Sequence, residues 1–138
     1  METLKDIQTE IVEEFEMFDD WMQKYEYIID LGKELATIEE QYKTEDNLIK
    51  GCQSMVWLHA EKQDGKIIYT ADSDAIMTKG IIAILIRVLS GQQATEIISA
   101  DLSFIDTIGL KEQLSVTRAN GLVSMIKKMK LYALAYQN

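Results

Sequence analysis

Two side chains in this chain of 138 residues could do nucleophilic or metal chemistry: its one cysteine, Cys52, and its one histidine, His59. A single cysteine forms no internal disulfide. One Cys with one His builds neither a structural zinc site nor an iron–sulfur ligand set. A Cys–His hydrolase is the obvious enzymatic reading, but His59 lies seven residues on in a stretch that reads as a strand. A continuous strand at ~3.3 Å per residue separates the pair by on the order of 20 Å, whereas a dyad needs ~3 Å. Cys52 follows Gly51 and precedes Gln53 and Ser54, a loop setting in which the glycine lets the backbone turn tightly. Two readings stay open. A free cysteine is also a small hydrophobe suited to a core, but these neighbours are not core residues. A loop thiol with no built-in base suits a carrier that accepts a group activated elsewhere.

The elements that must position Cys52 are readable from periodicity. Leu4, Ile7, Ile11, Phe15 and Phe18 mark an amphipathic helix with an acidic outer face. Trp21, Tyr25, Ile28, Gly32 and Leu35 mark a second, and Thr37 with Glu40 has capping-box spacing. Two β-rich runs, 54–61 and 67–71, flank Asp64-Gly65, a hairpin signal. Leu48-Ile49 adds a short edge strand. Asp72 or Ser73 is the expected N-cap of a nearly all-apolar central helix whose one polar stripe holds Lys79 and Arg87. Gly91 ends that helix. Short helical pieces reach about Gly109, and a last helix runs from about Thr117 with Leu122, Met125, Met129, Tyr132 and Tyr136 on one face. The expectation is one α+β domain over residues 1–138, a small antiparallel sheet (hairpin plus short edge strand) packed against helices.

Charge narrows the classes. Hydrophobic residues are 47% and charged residues 27%, an ordinary globular mix, and the net charge is −9. That balance disfavours nucleic-acid and anionic-membrane partners. The acidic N-terminus lacks a signal-peptide h-region, and the most apolar stretch, 76–89, is short of the ~20 residues of a spanning helix. The expected setting is soluble and cytoplasmic.

Gly51-Cys52-Gln53-Ser54-Met55-Val56-Trp57 resembles the GCQSxVW signature of the SufE family of sulfur-acceptor proteins. Residues 21–32 resemble that family's W-x-x-K-Y-x-Y-I-I-x-L-G helix, and Asn47 and Ile49 match the approach to its cysteine. Asp72-Ser73-Asp74-Ala75 with Lys79-Gly80 resembles D-S-D-A-x-x-x-K-G. Residues 114–122 resemble L-S/T-P-T/S-R-x-N/Q-G-L, with Val116 where the family usually has proline. The blocks occur in the family's order from about residue 15 to 130.

The resemblance implies a fold shared with IscU-type scaffolds and a role in iron–sulfur cluster assembly. A SufS-type cysteine desulfurase would hold sulfur as a persulfide. Cys52 would take that sulfur and pass it to a SufBCD-type scaffold complex. PLP would belong to the desulfurase, leaving this chain without cofactor or metal of its own. A CsdE-type acceptor serving another desulfurase is the near alternative. A binding module with a buried, inert Cys52 is the distant one, and a homodimer is left open. Gly51 and Gln53 flank the thiol. Asp74 is either a capping residue or a holder of the cysteine loop. Arg118, a cation at a helix N-terminus where the dipole disfavours it, is a candidate partner contact. The simplest readings of the rest are packing for Trp57, with an apolar pocket beneath it for the sulfur. Lys79 and Arg87 read as a solvated stripe. Glu10, Glu13, Glu14 and Glu16 read as a solubilising face.

Overall fold

A computed structural model describes residues 3–137. Two helices open the chain, α1 (Leu4–Glu16) and α2 (Trp21–Lys33). Thr3 and Asp6 form a reciprocal capping box on α1, and the Asp20 carboxylate accepts from the Gln23 amide to cap α2. Two single 3-10 turns, Glu40–Tyr42 and Glu45–Asn47, lead to the hairpin of β1 (Val56–Gln63) and β2 (Lys66–Ser73). Asp64 and Gly65 both have positive φ, 52° and 79°, as a two-residue turn matched to strand twist requires.

The third strand, β3 (Gln92–Gln93), pairs with β2, giving the order β1-β2-β3. It is not the expected Leu48-Ile49 strand. There the chain makes only one bridge, Leu48 to Trp57, against the opposite edge. The edge of β1 is closed by other means. The Val56 carbonyl accepts from the Ile49 amide (2.8 Å), Leu58 from Tyr132 (3.1 Å) and Ala60 from Tyr136 (2.9 Å). Side-chain hydroxyls thus occupy positions that a foreign strand would otherwise claim.

The central helix, α3 (Ile76–Leu89), has ten of its fourteen residues buried and packs against α2, β2, α1 and the last helix. Its cap is Ala75, not Asp72 or Ser73, which still belong to β2. Thr37 likewise does not cap a helix. It bridges Ala71, and its hydroxyl donates to the Leu35 carbonyl. After β3 come α4 (Ala94–Ile98), α5 (Phe104–Thr107), α6 (Leu110–Gln113) and the long α7 (Val116–Tyr136). Ser115 caps α7 by accepting from the Arg118 amide.

The polar stripe of α3 is not merely solvated. Arg87 makes a two-pronged bond to Glu14 on α1, at 2.7 and 2.5 Å, and Tyr27 of α2 donates to the same carboxylate. Glu14 is therefore a joint between three helices and not part of a solubilising face. The Arg87 bonds hold its carboxyl below the usual range, and burial first, then Glu14, pushes the Tyr27 phenol up to about 12. Lys79 pairs with Asp72 at 3.3 Å, and Lys43 joins the same carboxylate at 2.8 Å. Among the described residues no helix is long and apolar enough to cross a membrane.

Candidate functional site

Cys52 stands on a short loop whose two ends are fixed to each other. Ile49 is buried and donates to Val56, and Leu48 bridges Trp57. Residues 50–55 form the tip. Gly51 has φ +92°, and a Cβ there would stand 2.5 Å from the Ser124 hydroxyl of α7. Both the backbone and the available space therefore demand glycine.

The Cys52 thiol is half-buried and turns inward, its sulfur 3.6 Å from the Gly121 carbonyl of α7 as a weak donor. A Cβ on Gly121 would stand only 3.3 Å from that sulfur. Beside it lies a cavity of about 60 Å³ lined by Thr78 and Ile81 of α3, Gly121 and Met125 of α7, and Gln53 and Arg118 at its mouth. That is ample for one small guest, since a water needs only ~10–15 Å³. The expected pocket beneath Trp57 is thus not where the sulfur lies. Trp57 instead packs below the Lys43 ammonium, 5.4 Å from its ring centroid. Burial pushes the Cys52 thiol up, so the resting site holds the protonated, less nucleophilic form.

His59 supplies no base. Its ring stacks on Tyr42 at 3.7 Å and meets Glu61 at 3.2 Å, and it is absent from the lining of the Cys52 cavity. Among the described residues no cluster of three or more His, Cys, Asp or Glu could hold a metal. A larger depression of about 520 Å³ lies between α1 and α4, but its lining carries no thiol or imidazole.

The far side of the loop is tied to the end of β2. The Asp74 carboxylate accepts from the Met55 amide (3.1 Å), the Asp74 amide donates to the Met55 carbonyl (3.2 Å), and the Ser73 hydroxyl donates to that carbonyl (2.8 Å). Gln53, Asp74 and Arg118 are exposed around the loop. Four of the five residues singled out from sequence thus gather within the loop and at the cavity mouth. Asp74 reaches the loop through Met55. The berth itself was not legible: Gly121, with Ser124 and Met125 beyond it on the same helix, lies 69 residues after Cys52. Small residues three apart on α7, at 121 and 124, were the available signal.

Comparison with known proteins bears on what this site does. A family model described as "SufE: Fe-S metabolism associated domain" matches residues 9–133. An uncharacterised SufE-like protein of Rhizobium meliloti is 40% identical over 126 residues, covering 88% of this chain and 90% of that protein. A SufE-like protein of Synechocystis is 39% identical, covering 92% of this chain and 80% of the relative. SufE-like protein 1, chloroplastic/mitochondrial, of Arabidopsis thaliana is 39% identical over 91% of this chain, which spans 34% of that longer protein. In fold, the solution structure of a hypothetical protein from Thermus thermophilus superposes with a TM-score of 0.78, covering 94% of each chain at 16% identity.

Proposed function

The chain belongs to the SufE family, whose members transfer sulfur in iron–sulfur metabolism, and from that premise we propose that Cys52 is the sulfur carrier. The observation that carries the reading is the geometry of the one thiol: a loop-tip cysteine turned onto a cavity with room beside its sulfur. In the proposed step, the Cys52 thiolate attacks the terminal sulfur of a desulfurase persulfide. A new sulfur–sulfur bond forms on Cys52, the desulfurase's own sulfur–sulfur bond breaks, and the desulfurase cysteine leaves as thiolate. The reaction is an exchange with no net oxidation. The partner in this reading is a SufS-type, PLP-dependent enzyme in the cytoplasm, and the recipient a SufBCD-type scaffold.

The resting geometry suits storage more than attack. Burial keeps the thiol protonated, and a carried persulfide tucked at Gly121 is shielded from stray reductant and oxidant. Docking must draw the tip outward, which exposes the sulfur and restores its ordinary acidity. Arg118, in the first turn of α7 at the cavity mouth, gains nothing from the helix dipole and is placed to meet an anionic group on the partner.

Intact-mass measurement tests the reading. With the desulfurase of the same organism, cysteine and PLP, the protein gains sulfur that a reducing thiol removes. Without desulfurase it gains none. Cys52→Ser folds as the parent does and gains none under any condition. An adduct on Cys52→Ser, or no adduct with any desulfurase of that organism, overturns the carrier role.

A further inference from the structure

α7 does more than supply the berth at Gly121. One stripe of it, Gly121, Ser124, Lys128 and Tyr132, follows the chain segment that leads into Cys52. Gly121 meets Cys52 and Ser124 meets Gly51. Lys128 donates to the Asp46 carbonyl (3.1 Å) and lies 5.2 Å above the Tyr132 ring. Tyr132 closes the stripe. Its hydroxyl stands 2.5 Å from the Asn47 side-chain oxygen and 3.1 Å from the Leu58 carbonyl of β1, its one proton shared between them.

We propose that Tyr132 is a positioning residue for Cys52, fixing the root of the cysteine arm to both α7 and the open edge of β1. Asn47 is that root, five residues before the thiol. Its other amide end donates to the Tyr42 carbonyl (2.8 Å), and the Tyr42 ring rests on His59 of β1. Asn47 is therefore held from two sides, and the hydroxyl of Tyr132 is the only one of the two holds that comes from the berth helix. When it is lost, the arm stays attached to the sheet and keeps, along α7, only the bond from Lys128 to the Asp46 main chain, so its register over the berth loosens. The sulfur then no longer lies over Gly121, and the resting population shifts toward the exposed thiol. This gives the carrier its functional meaning only on the reading above, but the thiol itself reports the effect with no desulfurase present, so failures of the two are told apart.

Tyr136 provides a matched control. It sits one turn on, and its hydroxyl makes the same kind of bond to the next outward carbonyl of β1, Ala60, at 2.9 Å. Tyr132→Phe and Tyr136→Phe each remove one phenol-to-edge bond from the same helix, and only the first also frees Asn47. The measurement is the rate of Cys52 alkylation by iodoacetamide in the native full chain, with the melting temperature taken alongside. Tyr132→Phe is expected to speed alkylation by about fivefold, the population change one neutral hydrogen bond supports, while Tyr136→Phe leaves it at the parent rate for a similar loss of melting temperature. Asn47→Ser, which gives up the bond to Tyr42 as well, is expected to be at least as fast as Tyr132→Phe, and the double variant to be no faster than Asn47→Ser alone, as for two residues acting through one contact. Equal rates in the two Phe variants, or additive effects of Tyr132→Phe and Asn47→Ser, overturn the proposal. If Tyr132→Phe does not fold, Asn47→Ser against Tyr136→Phe decides it alone.

Discussion

At the crossing of α2 and α3, a Cβ on Gly80 would stand 2.2 Å from the Ile28 carbonyl oxygen, and one on Gly32 would stand 2.8 Å from the Gly80 nitrogen. At the contact of α7 with the cysteine loop, a Cβ on Gly121 would stand 3.3 Å from the Cys52 sulfur. Both are close approaches that glycine permits, but what lies opposite differs. In the first, two backbones meet inside the core and neither can yield. In the second, a helix backbone meets the end of one side chain on a loop, and the loop can give by a few tenths of an ångström. The first is a fixed joint on which stability depends. The second is a seat that its occupant can leave, as a carrier that must both shelter and present its sulfur requires.

The sharpest way to break the comparison is at the joint. Gly80→Ala forces a methyl into the Ile28 carbonyl, and separating two packed helices costs about 1–3 kcal/mol or more. A thermal melt reads this as a fall of several degrees or a failure to fold. An unchanged melting temperature would show that the crossing spreads freely, and the two contacts would then not differ in kind.

Gly121→Ala makes the same change at the seat, with a different expected result. Alanine is favoured over glycine within a helix by about 0.5–1 kcal/mol, which offsets the tight contact, so the melting temperature stays near the parent's. The sulfur is instead displaced toward water. Burial raises the Cys52 pKa in the parent, so its alkylation rate climbs with pH through a midpoint above that of the unfolded chain, where a free thiol titrates near ~8.5. Gly121→Ala moves the folded midpoint down toward the unfolded one and raises the rate at neutral pH. A midpoint unchanged by the substitution would mean that the seat does not hold the sulfur.

How much of this was legible in the sequence follows the same division. Local signals read true: Asp64-Gly65 fixed the hairpin, and the apolar run of α3 marked a helix buried on most sides. Cys52 also stood on a loop, as Gly51 and its polar neighbours indicated. Signals that depend on a distant partner did not. Arg87 and Glu14 are 73 residues apart, and no spacing rule links them, so each looked solvated. Asp72 and Ser73 have good capping chemistry, but β2 runs through both before α3 begins. Gln92-Gln93 is too short and polar to show as a strand. The seat at Gly121 belongs to this second group, since a glycine within a helix gives no sign of what lies against it.

The smallest effect sharpens the comparison from the side of the helix that carries the seat. Val116 is the first residue of α7, 79% exposed, and follows the cap Ser115, whose φ of −61° and ψ of 161° are extended. Proline suits that place. The first helical amide has no partner within the helix to lose, the ring's fixed φ matches a helix start, and the preceding residue already has the backbone that proline imposes on it. Val116→Pro should therefore stabilise the protein by about 0.4–1 kcal/mol, chiefly by restricting the unfolded chain, for a rise of a few degrees in melting temperature. It touches neither the sulfur nor the stripe of α7 that follows the arm, so Cys52 alkylation should stay at the parent rate. A stability gain with unchanged thiol reactivity would separate the rigidity of α7 from the hold of its seat. A fall in melting temperature would mean that the corner before α7 has a backbone that proline cannot adopt, and a faster thiol would mean that the seat is strained through the helix start.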